Sequence, residues 1–394
     1  MRVILNGVSA LKPKTGVGHT TANLHRALVK QGTPDQFWLY PGETISRIAR
    51  RALQPQPGAN KPPPGVNRFK AHIASLAKAA YRAHFQTAAR WGKFDLYHEP
   101  NFVPIRTHLP TVVTVHDLSV LLHPDWHPAD RVTVHEQHFR HGLESAAHVI
   151  VVSESVRSEA ITLLGLPASR VTAIHNGIDD RFRPQRPEMI EEMRQRLGLP
   201  RRYMLAVGTI EPRKNIQTLL RAFCDLPAHL QSSCPLVLAG GWGWKSGPER
   251  ELFERKARHR GAIHLGYVDD ADLPALYGGA AALFYPSFYE GFGLPPVEML
   301  ACGGGVVAST AAAIQEVTGG HAPLLDPADL EGWRDAMRHV AVFPDALDSY
   351  RRGGIAHARR FTWGSAARKA LGVYRQALGI TTGPEIVSPM RLAA

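Results

Sequence analysis

Two carboxylates, Glu290 and Glu298, stand eight residues apart in a segment that also carries two glycines and two prolines, Phe288-Tyr289-Glu290-Gly291-Phe292-Gly293-Leu294-Pro295-Pro296-Val297-Glu298. The apolar run before this segment predicts a buried strand, and the prolines suit the first turn of a short helix. Free backbone amides and the dipole at a helix N-terminus attract anions. Carboxylates hold the vicinal diols of sugars. The segment therefore predicts a site for a phosphate that is joined to hydroxyl-rich groups.

A second loop with suitable chemistry carries two adjacent cations in the string Val207-Gly208-Thr209-Ile210-Glu211-Pro212-Arg213-Lys214-Asn215. It follows a predicted strand and precedes a predicted helix. Arg213 offers a planar fork to phosphate oxygens and Lys214 a point charge. Each charge-assisted hydrogen bond is worth roughly 1.5–3 kcal/mol. A solvated helix start is the alternative, but the position after a strand favours binding of a diphosphate.

Three loops in the first half of the chain carry further candidates. Gly16 and Gly18 lie in Lys14-Thr15-Gly16-Val17-Gly18-His19-Thr20, before a helix that is predicted to begin near Thr20. This Gly-x-Gly does not complete the dinucleotide fingerprint, which needs a further glycine three residues on. His116 and Asp117 end a predicted strand, and a histidine there can donate to a sugar hydroxyl or stabilise developing charge. His98 ends another predicted strand and Asn101 follows it, and we assign them with Asp117 to an acceptor site.

These loops are positioned by an alternation of short apolar strands and helical stretches, which predicts parallel α/β sheets. In the first half the predicted strands are Val3–Leu5, Phe37–Tyr40, Leu96–His98, Thr111–Val115, Val149–Val152 and Val171–Ala173. In the second half they are Tyr203–Val207, Leu236–Ala239, Ala262–Leu265, Ala282–Tyr285, Val306–Ala308 and Leu324–Leu325. A Pro- and Arg-rich linker, 181–187, separates the halves. We predict one domain over 1–180, a second over 181–360 and a helical tail over 361–394.

The segment from Glu290 to Glu298 resembles the signature E-G-F-G-L-P-x-x-E of retaining family-4 glycosyltransferases, and Val207–Asn215 looks like the variant of the mannosyltransferase-B-like branch. The resemblance covers nearly the whole chain and is weakest from Thr44 to Phe94. It implies the GT-B fold, two Rossmann-like parallel-sheet domains that face a central cleft, with the tail crossing back to the first domain. It implies transfer of a hexose from a nucleoside-diphosphate sugar, with retained anomeric configuration, to a polysaccharide or a lipid-linked glycan. GDP-mannose is the leading donor, and a UDP-sugar is the alternative.

The resemblance also assigns roles. Glu298 holds the ribose diol, while Glu290 contacts the donor sugar among the amides of Phe292, Gly293 and Leu294. Gly16 and Gly18 turn amides toward the diphosphate, Thr209 stands where many members carry arginine, and the loop with Tyr267 and Val268 meets the nucleobase. The residues given to catalysis are His116, Glu290, Arg213 and Lys214. The leaving phosphate accepts the acceptor proton, so no nucleophile is assigned.

Neither a cofactor nor a metal is predicted. The sequence has no HExxH motif, no Cys/His cluster and no clear Asp-x-Asp. The adjacent Asp269 and Asp270 are not enough to predict a metal site. The three cysteines are too scattered for a zinc site or a disulfide framework, which fits a reducing cytoplasm. Amides, Arg213 and Lys214 then handle the charge of the diphosphate.

The formal net charge of +12 is concentrated in one block, because residues 44–94 contain ten Lys or Arg and no Asp or Glu. Apolar residues recur there at helical spacing from Phe69 to Phe85. A basic amphipathic helix can lie on an anionic membrane, and a helix packed on its own domain with a solvated charged face is the equal alternative. No nucleic-acid recognition motif accompanies the charge. Without a signal peptide or a long apolar run, the chain is predicted to be cytoplasmic, with a peripheral contact to the inner membrane if the helix binds lipid.

Two other functions compete. An NAD-dependent oxidoreductase is suggested by the twin α/β domains, but neither Gly-x-Gly loop completes the fingerprint. A non-catalytic sugar-nucleotide or polysaccharide-binding protein could keep the same fold. The presence of His116, Arg213, Lys214, Glu290 and Glu298 argues against a loss of catalysis.

Overall fold

The computed structural model describes residues 1–10, 16–42 and 66–380, with side chains from residue 79 onward in the last of these ranges. Two six-stranded sheets, parallel throughout, form the two domains. The predicted fold class is thereby confirmed. Each of the twelve predicted strands is present within one residue of its expected bounds at either end, because most are short, predominantly apolar runs of the kind that a sheet covered on both faces requires.

The first sheet has the strand order β2-β1-β3-β4-β5-β6. Its strands are β1 (Arg2–Asn6), β2 (Gln36–Tyr40), β3 (Leu96–Glu99), β4 (Thr111–Val115), β5 (His148–Val151) and β6 (Val171–Ala173). Its helices are α1 (Gly16–Val29), α2 (Val66–Trp91), α3 (Ser119–Leu122), α4 (Ala129–Ser145) and α5 (Glu154–Leu164). The strand order reverses direction between β1 and β3. The connections that follow these two neighbouring strands run to opposite sides, which opens a crevice between them.

The second sheet has the order β12-β11-β10-β7-β8-β9 and reverses between β7 and β10. Its strands are β7 (Met204–Val207), β8 (Leu236–Ala239), β9 (Ile263–Gly266), β10 (Ala282–Tyr285), β11 (Val306–Ser309) and β12 (Leu324–Leu325). The helices around it are α6 (Pro187–Leu197), α7 (Ile216–Cys224), α8 (Ala228–Ser233), α9 (Gly247–Leu252), α10 (Leu273–Gly279), α11 (Leu294–Ala301), α12 (Ala312–Thr318), α13 (Leu330–Val342), α14 (Asp348–Arg351) and α15 (Gly354–Ala358). Apolar side chains are packed on both faces of this sheet.

The last helix, α16 (Trp363–Ala377), packs on the first domain although it follows the second in sequence. Ala367, Leu371 and Tyr374 share a core with Val3 and Leu5 of β1. The chain therefore crosses between the domains twice, and the two crossings lie side by side, since the amide of Ile178 donates to the carbonyl of Phe361 at 2.9 Å.

Helix α1 begins four residues earlier than the sequence predicts, at Gly16 instead of Thr20. The hydroxyl of Thr20 donates to the carbonyl of Gly16, and that of Thr21 donates to the carbonyl of Val17. The glycines therefore form the first turn of the helix and not a free loop. Within the described residues, no helix combines the length and the apolar character needed to cross a bilayer.

Candidate active site

The carboxyl ends of both sheets open onto one cleft of about 940 Å³. Both strand-order reversals lie at this cleft, as expected for ligand sites in open α/β sheets. Most of the residues predicted from sequence line it: Gly16, Asn101, His116, Asp117, Thr209, Arg213, Lys214, Tyr267, Val268, Glu290, Phe292, Gly293, Leu294 and Glu298. Sequence positions almost 300 residues apart are thus brought to one cavity.

The reversal between β7 and β10 holds a buried ionic cluster around Glu290. One carboxylate oxygen accepts from Arg213 Nη1 at 2.6 Å, and the other accepts from Lys214 Nζ and from the Tyr285 hydroxyl at 2.8 Å. Lys214 Nζ also donates to Tyr285 at 2.6 Å. Both oxygens of Glu290 are therefore occupied, so this carboxylate first serves to position the two cations.

Glu211 completes the cluster from the other side. It is buried, and one of its oxygens accepts from Arg213 Nε. Its second oxygen is buried without a partner among the described residues. Two carboxylates thus balance Arg213 and Lys214, and the guanidinium is held in one orientation by bonds on two of its edges.

Glu290 stays ionised in this environment. Burial raises the pKa of its carboxyl, but the neighbouring Arg213 and Lys214 together outweigh burial and bring the pKa down to about 2. Burial also raises the pKa of Glu211, which Arg213 and Lys214 partly offset. Glu290 therefore keeps its negative charge at every pH near neutrality.

Helix α11 points its N-terminus into the cleft directly after Glu290. Gly293 precedes the helix with a φ of +102°, a left-handed conformation that favours glycine. The amides of Phe292, Gly293 and Leu294 donate to no atom within the described residues. Because the next two residues are prolines, these three amides are the donors that the helix start offers to an anion.

Glu298 lies one turn into the same helix, at the edge of the cleft. One of its oxygens accepts from the Tyr277 hydroxyl at 2.9 Å, and the other has no partner in the described part of the chain. Burial raises the pKa of this carboxyl to about 7, which the Tyr277 bond and Arg181 only partly oppose. A carboxylate with one open oxygen in a cleft can accept from a diol.

Across the cleft, His116 ends β4 of the first domain. Its Nε2 donates to the carbonyl of Pro100 at 2.8 Å, which assigns the other nitrogen as an acceptor. Burial lowers the pKa of this imidazole, so it is neutral. One oxygen of Asp117 accepts from the amide and the hydroxyl of Ser119, and the rest of the carboxylate faces the cleft.

Several direct contacts join the domains and close the cleft. A Cβ on Gly291 would lie 1.7 Å from the carbonyl oxygen of His116, so this position has no room for a side chain. Glycine at this position admits the other domain, and its backbone also lines the cleft. Ser153 donates to the carbonyl of Gly291 at 2.7 Å, and the Tyr289 hydroxyl bonds Glu159 at 2.6 Å.

A further contact caps a helix of one domain with a carboxylate of the other. Glu316 on α12 accepts from the amides of Glu154 and Ser155 in the first turn of α5, at 2.9 and 3.1 Å, and it also bonds His175. A carboxylate at this position satisfies two otherwise free amides and complements the helix dipole. The closed arrangement of the domains is stabilised accordingly.

Two predicted residues lie away from the cleft. His98 is fully buried, with Nε2 bonded to Thr114 at 2.8 Å and Nδ1 to Tyr374 of α16 at 2.7 Å. Its side chain points into the domain and not outward from the strand end, so we withdraw it from the acceptor site. Gly18 lies against the carbonyl of Ser9, which a Cβ would approach to 2.5 Å. Packing therefore requires a glycine at position 18, and this residue does not line the cleft.

Sequence analysis missed the residues that hold the charged ones in place. Tyr277, Tyr285, Glu211 and Arg181 were not singled out, although the last three line the cleft. Tyr285 and Glu211 end a strand or follow one, which is a usable signal. Tyr277 lies in a buried helix and contacts Glu298 21 residues away, and no local pattern indicates that contact.

The sequence matches two families of known proteins. The family model described as Glycosyl transferases group 1 matches residues 189–340, and the one described as Glycosyltransferase Family 4 matches residues 14–182. O-antigen chain mannosyltransferase B of Escherichia coli is 32% identical over 387 residues, which cover 95% of this chain and 100% of that protein.

Solved structures show the same fold. Sucrose-phosphate synthase from Thermosynechococcus elongatus aligns with a TM-score of 0.70 over 96% of this chain and 99% of that chain, at 20% identity. The Anabaena protein HepE in complex with UDP-glucose aligns with a TM-score of 0.69 over 95% of this chain and 98% of that chain, at 19% identity. At such identities these similarities support only the fold, which is two domains around a cleft.

Proposed function

The chain belongs to the group 1 glycosyl transferases of family 4 and is a nucleotide-sugar-dependent hexosyltransferase, and from this premise we propose that it moves mannose from GDP-mannose to a glycan hydroxyl with retained anomeric configuration. The observation that carries the choice of sugar is the 32% identity to a mannosyltransferase over 95% of this chain. Membership of a transferase family sets aside the NAD-dependent oxidoreductase and the non-catalytic binding protein.

The proposed binding mode follows the cleft from one wall to the other. The diphosphate lies against Arg213, Lys214 and the free amides at the start of α11, since these cations and amides line the same cleft. The ribose diol bonds Glu298, and the base lies near Tyr267 and Val268. Thr209 and the first turn of α1 at Gly16 border the donor. Within the described residues no group of three or more His, Cys, Asp or Glu side chains is placed to hold a metal.

Retention without a covalent intermediate is the mechanism that we propose. A nucleophilic carboxylate would need a free oxygen toward the anomeric carbon, and both oxygens of Glu290 bond Arg213, Lys214 or Tyr285. The departing phosphate takes the acceptor proton, while Arg213 and Lys214 stabilise the charge that develops on it. His116, which is neutral, faces the sugar from the opposite domain.

A donor screen tests this proposal. The enzyme is incubated with GDP-mannose, UDP-glucose or UDP-galactose and a glycan acceptor, and GDP or UDP release is measured. We expect release of GDP alone, and proton NMR of the product should show the α-anomer. Release of UDP would contradict the proposed donor in favour of a UDP-sugar, and an inverted product would contradict retention.

Donor binding should depend on pH through Glu298. Ribose hydroxyls donate to the carboxylate form, so binding favours loss of the proton whose pKa is about 7 in the free protein. Affinity for GDP-mannose, whose diphosphate has no proton that titrates in this range, is expected to be highest above pH 7 and to fall roughly tenfold from pH 8 to pH 6. Isothermal titration calorimetry measures it.

Glu298→Gln provides the matched control, because it keeps the shape and removes the titrating group. We expect the Gln variant to bind more weakly at pH 8 and to lose the pH dependence. Equal affinity of the parent protein at pH 6 and pH 8 would remove Glu298 from the ribose site.

We further propose that the exposed basic face of α2 contacts anionic lipid. The predicted helix is present, while residues 43–65 of the basic block lie outside the described part of the chain. Phe85 is buried in a core with Ile4 and Tyr97, so the helix is packed on its own domain. Its exposed side nevertheless presents Arg82, Arg90 and Trp91, the last with 78% exposure.

Because Phe85 anchors the helix, the test uses surface charges and not a deletion. Arg82→Glu combined with Arg90→Glu is expected to lower binding to vesicles that contain anionic lipid by at least about tenfold, at roughly 1 kcal/mol for each basic residue lost. Arg352→Glu with Arg359→Glu, an equal change on exposed positions of the second domain, is the control. If the two substitutions at Arg82 and Arg90 do not change co-sedimentation with the vesicles, α2 does not bind lipid and is a packed helix with a solvated face.

A further inference from the structure

One corner of the cleft has no role in the donor site described above. Side chains from both domains form it, and we call it the acceptor corner: Phe102, Asp117, His127, Arg131, His135 and Trp244. We propose that the acceptor corner holds the neutral sugar ring that offers its hydroxyl, and that His127 binds this ring through its two ring nitrogens. The inference rests on the proposed glycan acceptor and identifies the residues that select it.

His127 is the observation that points to a ligand. The residue is only 3% exposed, and neither ring nitrogen has a hydrogen-bond partner among the described residues. Buried polar atoms in folded proteins are almost always paired, because an unmade hydrogen bond is costly. Two unpaired nitrogens on one side chain that borders the cleft indicate a partner that comes with the substrate.

The state of this histidine favours a hydroxyl over an anion. Burial is the main cause that lowers the pKa of His127 to about 4; Asp117 opposes the shift, and Arg131 and Arg213 add to it. A neutral imidazole has one donor and one acceptor, and a sugar hydroxyl both donates and accepts. Asp117 presents its remaining carboxylate oxygen to the same corner and would repel a phosphate.

The opposite wall of the corner is aromatic and comes from the second domain. The Trp244 ring lies 6.0 Å from the ring of His127 between centroids, and the guanidinium of Arg131 lies 4.2 Å from its centroid. The indole N–H donates to the carbonyl of Trp126 at 3.0 Å, which fixes the ring. The guanidinium covers part of the indole, and an aromatic ring beside a few placed polar groups is typical of small-molecule sites.

Backbone conformation also marks this corner. Phe102 in the first domain has a φ of +62°, and Lys245, next to Trp244, has a φ of +53°. Non-glycine residues rarely adopt this left-handed conformation, and such strain collects at functional sites.

The cleft volume of about 940 Å³ lies near the upper end of the roughly 300–1,000 Å³ found for ligand pockets, so the cleft has room for a second sugar beside the donor.

Because His127 and Trp244 belong to different domains, opening the cleft would expose the ring nitrogens to water. Closure removes that water, and the acceptor ring then supplies the bonds. The acceptor is thus recognised in the closed state by both walls at once.

The test compares His127→Phe with the parent protein, since Phe keeps a ring against Trp244 and removes both nitrogens. Binding of a neutral mannobiose is measured by calorimetry with GDP present and with UDP present. We expect about a tenfold loss of mannobiose affinity, the scale of a lost hydrogen bond, while affinity for the nucleotide changes less than about twofold.

A second pair of variants covers the aromatic wall. Trp244→Ala is expected to weaken mannobiose binding by at least about tenfold, whereas Lys245→Ala, which removes the adjacent bond between the domains from Lys245 Nζ to the Asp125 carbonyl at 2.6 Å, should not. Unchanged mannobiose affinity in His127→Phe, or a parent protein that binds no mannobiose with either nucleotide, would overturn the inference. A parent that releases UDP instead of GDP contradicts only the proposed donor, because the binding readout does not depend on turnover.

Discussion

Replacing both Arg213 and Lys214 by alanine is expected to lower kcat by at least about a hundredfold. Removal of a single preorganised donor to a developing negative charge costs roughly 10²–10³ in kcat in other enzymes. Both cations are held by Glu290, and they line the same cleft as the free amides at the start of α11. Release of the nucleoside diphosphate from GDP-mannose, followed at saturating donor and acceptor, measures the effect.

Single variants separate the two cations. Arg213→Lys keeps the charge but cannot bond Glu211 and Glu290 at the same time, so we expect a loss smaller than that of the double variant. Calorimetry with GDP distinguishes a loss of binding from a loss of turnover. A double variant with near-normal kcat would mean that the charge of the diphosphate is neutralised elsewhere in the cleft.

Glu290→Ala is expected to lower both stability and activity. It leaves the cations of Arg213 and Lys214 buried with Glu211 as their remaining counter-charge, and breaking a buried ion pair typically costs about 3–5 kcal/mol. Since the two cations also lose their fixed positions, kcat should fall by at least about a hundredfold. Denaturant unfolding and the donor-release assay measure the two effects.

The control for this change is Glu192→Ala, which removes an exposed glutamate and should alter stability by less than about 0.5 kcal/mol. Glu290→Gln keeps the shape and provides folded protein if the alanine variant does not fold. The stabilisation due to Glu290 should be constant above its unfolded pKa near 4.3 and be lost as the pH falls toward its folded pKa of about 2. An alanine variant as stable as the parent would show that the cluster contributes no net stability.

The fold and the position of the cleft could be predicted from the sequence because both depend on local patterns. Buried parallel strands are short apolar runs, and loops with charged or glycine residues after such runs lie at the carboxyl edge of a sheet. Arg213 and Glu290, 77 residues apart, were therefore placed at one edge correctly. Their ion pair was not predicted, since a sequence pattern does not say which side chains meet across a strand-order reversal.

The sequence was less informative for residues whose role depends on the direction in which the side chain points. Successive side chains of a strand point to opposite faces, so in β3 His98 entered the core while Glu99 borders the cleft; Asn101, beyond the end of the strand, also reached the cleft. The contact of Gly291 with His116 was not predicted, because it depends on how the two domains close. His127 carries no motif at all, and its significance depends on the absence of partners in three dimensions.

The cap that Glu316 places on α5 makes domain opening measurable at two individual amides. The N–H groups of Glu154 and Ser155 lie in the first helical turn, where no bond within the helix protects them, and Glu316 is their acceptor. Their protons should exchange with solvent deuterium only in molecules whose cleft is open. The exchange rates of these two amides would then report the fraction of open enzyme, and how far each substrate reduces it, without any label in the cleft.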